Sequence, residues 1–338
     1  VPREYDSDVS KMTNLTPYHV RLHKTLKSRN LLAPHSKILI GVSGGQDSLC
    51  LARLCLDLQT KWHWQVAIAH YDHGWELDQG LAEHISNICQ HWGATFYLET
   101  ATAKIPETEA SARKYRYQAL IKIATEHQFN YLLTGHTLSD RSETFIYNLL
   151  RGGGIEGLTA LHWTRKLTEE ITLVRPLLNF LRQETLEFCQ QLRLPIWEDG
   201  YNLNRKFARN RIRLDLIPYL ENNFNPQTQK HLAQTAEILR ADLEYLQMQT
   251  DQLFTLVTSA DKKALKRSLL AVESLSLQRR VVKKYLEIHL SKMPRFDAIE
   301  EVVRLITAPN GSCSSTLAKN QIAQVEDDFI YFRFKNYS

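Results

Sequence analysis

The chain has 338 residues, 43% of them hydrophobic and 23% charged, with a formal net charge of +5. That is apolar material for about two ordinary globular domains at roughly 100–200 residues each. No run nears the roughly 18–20 apolar residues that cross a bilayer, and the opening VPREYDSDVSKM is polar with no apolar secretory segment, so the expectation is a chain that does not span a membrane.

In chain order, KILIGV (37–42), QVAIAHY (65–71), TFYLET (95–100), YLLTGH (131–136) and ITLVRP (171–176) read as buried strands. Helical patterns lie between them at 48–59, about 79–92, 109–127 and 139–150. This alternation predicts an α/β domain with a parallel, doubly wound sheet, which binds ligands at the carboxyl ends of its strands. Around 218–226, PYLENNFNP has the texture of a linker or turn, and Asn225-Pro226 reads as a helix start. Beyond it Leu232, Leu239, Leu243 and Leu246 recur at helical spacing, LQRRVVKKYLEIHL and FDAIEEVVRLI continue as helices, and NQIAQVEDDFIYFRF alternates as a hairpin turning near Asp327 and Asp328. The expected organisation is therefore a first domain over 1–220 and a smaller, mainly helical domain over 226–338 with a terminal β-hairpin.

Cys50, Cys55, Cys89, Cys189 and Cys313 are scattered and never spaced C-x-x-C. They read as reduced, packed thiols in a reducing compartment, most simply the cytoplasm, and not as a disulfide framework or zinc site. His70 and His73 flank Asp72, but two histidines without a third ligand argue against zinc. Basic clusters at 113–116, 205–213, 262–267 and 279–284 suit a phosphate-rich partner when taken together.

GVSGGQDS (41–48) follows the first strand. A strand, a glycine turn and a helix start make an anion site from converging backbone N–H groups, with Ser43 and Ser48 as added donors and Gly44 and Gly45 allowing close approach. It is neither Walker A nor G-x-G-x-x-G, since Gln46 and Asp47 stand where a lysine is expected. Asp47 beside phosphates requires a cation between them, unless it is simply a first-turn aspartate favoured by the helix dipole.

SGGQDS resembles the SGGxDS loop of the PP-loop ATP pyrophosphatases, which cleave ATP between its α and β phosphates. HYDHG (70–74), EASARKYRYQAL (109–120), TGHTLSDRSETFIYNLLRGGGIEGLTAL (134–161), RPLL (175–178), and EDGYNLN with RNRIR (198–213) resemble, in order, the motifs of the tRNA(Ile)-lysidine synthetases. The likeness covers about residues 37–220. Ser139 and Arg141 depart from the family's usual Asp and Gln, and Tyr201 and Asn204 from Ser and Asp.

The resemblance implies a PP-loop ATP pyrophosphatase fold and an ATP-dependent ligase. It would join L-lysine to the first anticodon cytidine of tRNA(Ile) bearing CAU through an adenylated intermediate, releasing pyrophosphate and AMP. It implies ATP binding by Ser43, Gly44, Gly45, Gln46, Asp47 and Ser48, Mg²⁺ held through ATP by Asp47 and Asp140, and catalytic parts for His136 and Glu143. Arg113, Arg116, Arg209, Asn210 and Arg213 would contact tRNA or the intermediate. Beyond the likeness, Lys262, Lys263 and Lys266 in the later basic helices are candidate tRNA-phosphate contacts on their charge. A homodimer is one option for the assembly. Two other readings stay open: another PP-loop tRNA-modifying enzyme, thiolating or amide-forming, and a noncatalytic RNA- or nucleotide-binding protein.

Overall fold

The computed structural model describes residues 15–102, 105–106, 108–197, 204–261, 263–290, 293–317 and 321–334. Lys262, Tyr201 and the polar opening of the chain lie outside the described residues. The chain divides into two compact units, Val1–Glu237 and Ile238–Ser338.

In the first unit, helix α1 (Pro17–Ser28) precedes the alternation β1 (Lys37–Gly41), α2 (Gln46–Trp62), β2 (Gln65–Asp72), α3 (Leu81–Trp92), β3 (Thr95–Thr100), α4 (Glu109–Glu126), β4 (Tyr131–Thr134) and α5 (Leu138–Leu150). A short α6 (Ile155–Leu158), strands β5 (Thr164–Lys166) and β6 (Thr172–Val174), and helix α7 (Arg182–Gln191) follow. The sheet order is β3-β2-β1-β4-β6-β5, with every pair parallel except β5 with β6.

Successive side chains of a strand point to opposite faces, and here both faces are covered, so the strands read as continuous apolar runs. Ile38, Ile40, Val66, Ile68, Leu133 and Val174 pack on one side with residues of α1, α2, α3 and α7. Leu39, Ala67, Ala69, Leu132 and Leu173 pack on the other with Leu120, Ile123 and Ala124 of α4. This is the expected doubly wound arrangement. Its chain order reverses between β1 and β4, the place where such sheets hold ligands.

The first part of the segment expected as a linker, up to Asn223, is helical, and residues 224–227 form a turn before the next helix. Helix α8 (Ala208–Arg211) runs through a wide π turn at Ile212–Leu216 into α9 (Ile217–Asn223). Pro218 sits at the start of α9, where its missing N–H costs nothing, and Ile212 and Ile217 bury against Ile146 of α5. Pro218, Asn222 and Asn223 belong to α9, while Asn225 and Pro226 lie in the turn that follows it.

Helix α10 (Thr228–Val257) passes from the first unit into the second. The second unit continues with β7 (Ala264–Lys266), α11 (Arg267–Ala271), α12 (Leu275–His289), α13 (Phe296–Arg304), β8 (Gln321–Glu326) and β9 (Phe329–Phe334). The expected hairpin is present, with Asp327 at φ +50° in its turn, and β7 pairs onto it to give the order β7-β9-β8. The run holding Lys263 and Lys266 is therefore not a basic helix. Ala264 and Leu265 are core residues, and that burial selects a strand. Among the described residues, no helix is long and apolar enough to cross a membrane.

Candidate active site

The loop after β1 folds on its own hydroxyls. The Ser43 amide donates to Ser48 Oγ (3.1 Å), and Ser48 Oγ donates to the Gly45 carbonyl (2.9 Å). Gly44 takes φ +79°, and a Cβ there would lie 2.5 Å from Leu81 Cδ1, so only glycine fits. Gly45 begins α2 with no side-chain cap, leaving the helix's positive end toward the cavity. Gly135, just past β4, is equally constrained, since a Cβ there would stand 2.8 Å from the Asp47 carbonyl.

Gln46 and Asp47 both face α7. Gln46 Nε2 donates to the Arg182 carbonyl (2.6 Å) and Thr185 Oγ1 (3.2 Å), so its side chain braces α7. Asp47 accepts a short hydrogen bond from the Thr185 hydroxyl and lies 3.5 Å from Arg182 Nη1. Burial, reinforced by the Asp140 charge, raises the Asp47 carboxyl to about 6 against the pull of Arg182, Thr185 and Arg213. Sequence patterns gave no mark to Arg182 or Thr185; α7 brings them in from 135 or more positions away.

Asp140 is fixed by a capping box. The Thr137 amide (2.7 Å) and hydroxyl (2.8 Å) both donate to Asp140 Oδ2, while the Asp140 amide returns a bond to Thr137 Oγ1 (3.3 Å). Its other oxygen, Oδ1, lies 3.5 Å from Arg213 Nη2. Burial opposes its charge, but His136, the Thr137 amide, Arg213 and Arg182 together hold its pKa below the usual range. His136 pairs through Nδ1 with Thr134 Oγ1 (2.9 Å). Burial and the nearby Arg175, Arg113 and Arg116 push its pKa down to about 3, against the attraction of Asp140, so its imidazole is neutral near pH 7.

Glu143, one turn on, is almost fully buried and bound by Arg213 in a two-point contact, Nε to Oε1 at 2.6 Å and Nη2 to Oε2 at 2.8 Å. Burial raises its pKa despite that partner. Asn210 Nδ2 donates to the Asn204 carbonyl (2.9 Å), which holds the turn entering α8.

A cavity of about 350 Å³ lies at the carboxyl ends of β1, β2 and β4, and of the expected phosphate loop Ser43 lines it while Gly44, Gly45, Gln46, Asp47 and Ser48 do not. Ser43, His136, Asp140 and Glu143 meet there with Arg113, Arg116, Arg209, Asn210 and Arg213. Lys263 and Lys266 belong to the second unit. His70 is buried, with Nδ1 2.8 Å from the Val42 carbonyl, so it ties β2 to the loop. His73 stacks on Trp75, with ring centroids 4.7 Å apart, and burial helped by Arg116 and His70 lowers its pKa to about 4. Among the described residues, no three His, Cys, Asp or Glu side chains cluster to hold a metal.

Two of the four departures from the family pattern, Ser139 and Arg141, have packing explanations. Ser139 Oγ accepts the Arg182 amide (3.1 Å), and Arg141 reaches Glu237 on α10 (2.6 Å). Cys50, Cys55, Cys89 and Cys189 are buried and Cys313 is exposed; none lines the cavity.

A family model described as a PP-loop domain matches residues 15–220. The chain is 49% identical to a tRNA(Ile)-lysidine synthase of Nostoc sp., over 94% of this chain and 97% of that one. It is 46% identical to one of Synechococcus sp. (93% and 96%) and 31% identical to the chloroplastic one of Pyropia yezoensis (93% and 94%). Among solved structures, the U34-tRNA thiolase NcsA of Methanococcus maripaludis with its 4Fe-4S cluster superposes with a TM-score of 0.57 at 20% identity, covering 66% of this chain and 77% of that one, a likeness of fold. With identities this high over nearly the whole length, the chain belongs to the tRNA(Ile)-lysidine synthase family of ATP-dependent, PP-loop ligases.

Proposed function

We propose that the cavity joins L-lysine to the wobble cytidine of tRNA(Ile) with a CAU anticodon in two steps. The base's carbonyl oxygen attacks the α-phosphorus of ATP and pyrophosphate leaves. The ε-amine of lysine then attacks the adenylated carbon, AMP leaves with the oxygen, and the amine gives up its protons. The product base reads AUA.

The observation that carries this reading is the convergence of the uncapped α2 start, Asp47, and the Thr137-capped Asp140 where chain order reverses between β1 and β4. A triphosphate laid on α2 would meet the amides and hydroxyls of Ser43–Ser48. The donor set fits a hard cation: two carboxylates, each now within 3.5 Å of an arginine, with phosphate oxygens and water to complete the shell. Bound there, Mg²⁺ would neutralise charge building on the phosphates.

Neutral His136 can donate a hydrogen bond to a phosphate oxygen without attracting a second proton. Asp140 Oδ1 is the carboxylate oxygen best placed to accept the lysine ammonium, because Glu143 is engaged by Arg213 at both oxygens. Glu143 then acts by holding Arg213 toward the substrate, or receives the ammonium when Arg213 turns to a phosphate. Arg113 and Arg116 supply positive charge at the α4 side of the cavity. Lys263 and Lys266 are candidate tRNA-phosphate contacts, and the five free thiols suit a reducing cytoplasm. Sedimentation of the purified chain tests the homodimer.

The test is a reaction of unmodified CAU tRNA(Ile) with ATP, Mg²⁺ and labelled lysine. Label entering the tRNA, dependent on ATP, is the expected result. Folded protein that incorporates none overturns the reading.

A further inference from the structure

A target base inside a cavity of about 350 Å³ leaves its neighbouring nucleotides outside, so the strand must cross the rim. The rim has a distinctive side. Arg209, which lines the cavity, lies over the ring of Tyr147 with its guanidinium carbon 5.8 Å from the centroid. Arg151 lies over the same ring at 5.1 Å and donates through Nη1 to the Tyr147 hydroxyl at 2.5 Å. Leu149 and Leu150 at the end of α5 are 54% and 69% exposed. Arg209, the Tyr147 ring and Arg151 thus stand in contact from the cavity lining outward, and the helix end that carries Tyr147 and Arg151 exposes two leucines to solvent.

The end of α5 is built to keep this form. Asn148 Nδ2 donates to the Gly157 carbonyl (2.6 Å), and the Gly153 amide donates to the Asn148 carbonyl (2.7 Å). A Cβ on Gly153 would lie 2.8 Å from that carbonyl, so glycine is required for the chain to fold back there. Arg151 stands four residues after Tyr147, so helical spacing sets it beside the ring, and the chain folds back directly after it. Tyr147 itself packs with Ile146, Ile212 and Ile217, which fixes its ring.

We infer that Tyr147 and Arg151, with Arg209, form the exit track for the single-stranded RNA flanking the target cytidine. The guanidinium groups meet phosphates and stack on bases, and the exposed leucines cover base faces. Alternating cationic and stacking groups are what sequence-tolerant binding of a single strand requires. Continuity with the cavity through Arg209 argues for the strand that bears the target base. The inference rests on the lysidine-forming reading above.

The test uses the full chain and a CAU tRNA(Ile). Arg151→Ala removes an exposed side chain and should weaken tRNA binding about five- to tenfold. It should also make the slope of log K against log salt shallower by about 0.7, the share of one single-strand phosphate contact. Tyr147→Phe, which loses only the hydroxyl bond to Arg151, should give a smaller loss, and ATP affinity should be unchanged in both. Wild-type tRNA affinity and salt slope in folded Arg151→Ala overturn the exit track while leaving lysine incorporation by the wild-type chain intact. A wild-type chain that neither binds nor modifies the tRNA overturns both readings.

Discussion

Replacing Gly45 by alanine separates what the loop does for folding from what it does for phosphate. Gly45 has φ −74° and ψ 160°, an extended conformation open to any residue. An added Cβ would meet only Ser43 Oγ, at 3.7 Å, an ordinary contact. Alanine restricts the unfolded chain, worth about 0.4–1 kcal/mol of added stability, and is a poorer N-cap than glycine by a similar amount. The variant should melt within about 1 kcal/mol of wild type. Yet its methyl would project where a phosphate approaches the α2 start, and loss of that approach should cost at least about 1.4 kcal/mol, a tenfold rise in Kd for MgATP. Gly135→Ala is the contrast. Its Cβ would lie 2.8 Å from Asp47 backbone atoms, about 0.6 Å inside the 3.4 Å onset of ordinary contact, and α2 cannot recede because Gln46 and Asp47 are held by α7. It should lose about 1–3 kcal/mol of stability. Thermal melts and ATP titration calorimetry measure both variants. Gly45→Ala that binds MgATP like wild type would refute the reasoning, as would a fold loss equal to that of Gly135→Ala.

Arg213→Ala should destabilise the protein by about 3–5 kcal/mol in urea melts, because it strands the buried Glu143 carboxylate, and adding Glu143→Gln should recover most of that loss. Thr137→Ala should cost about 1 kcal/mol through the lost α5 cap and should slow pyrophosphate release by freeing Asp140 to rotate. The His73 imidazole titrates near 4 in the folded state and 6.5 in the reference state, so the unfolded chain binds more protons between those values. Its stability contribution is therefore full above pH 6.5 and is lost as pH falls toward 4, and the drop in melting temperature from pH 7 to pH 5 should be smaller in His73→Gln than in wild type. Asp47→Asn should abolish AMP release with the fold intact, and near-wild-type turnover would remove Asp47 from the metal site.

The first unit was readable because its central strands β1, β2 and β4 are buried on both faces. KILIGV, QVAIAHY and YLLTGH carry apolar side chains at consecutive positions, a pattern that surface elements do not share. Elements set by tertiary contact were not readable. The edge strand Thr164–Lys166 is exposed along its length and exists through pairing with Thr172–Val174. The run Ala264–Lys266 sits among lysines, and only its place beside Phe329–Tyr331 makes it a strand. Residues 217–223 carry the proline and asparagines of a loop, yet the preceding turn delivers them as a helix.

The site divides along the same line. Ser43, Asp47, His136 and Asp140 follow strand ends within a few positions, so local order was enough to nominate them. Their partners come from far away: Thr185 and Arg182 reach Asp47 from α7, and Arg213 reaches Glu143 across 70 positions. These partners decide the charge state and reach of each carboxylate. Asp47 is raised by burial while Asp140 is kept ionised by its cap and Arg213, though both are aspartates in the first turn of a helix. The departures at Ser139 and Arg141 follow from the same geometry. They sit on either side of Asp140 along α5 and neither lines the cavity: Ser139 receives the Arg182 amide and Arg141 anchors Glu237. A change at either position therefore acts on how firmly α5 holds Asp140, and not on which atoms meet the substrate.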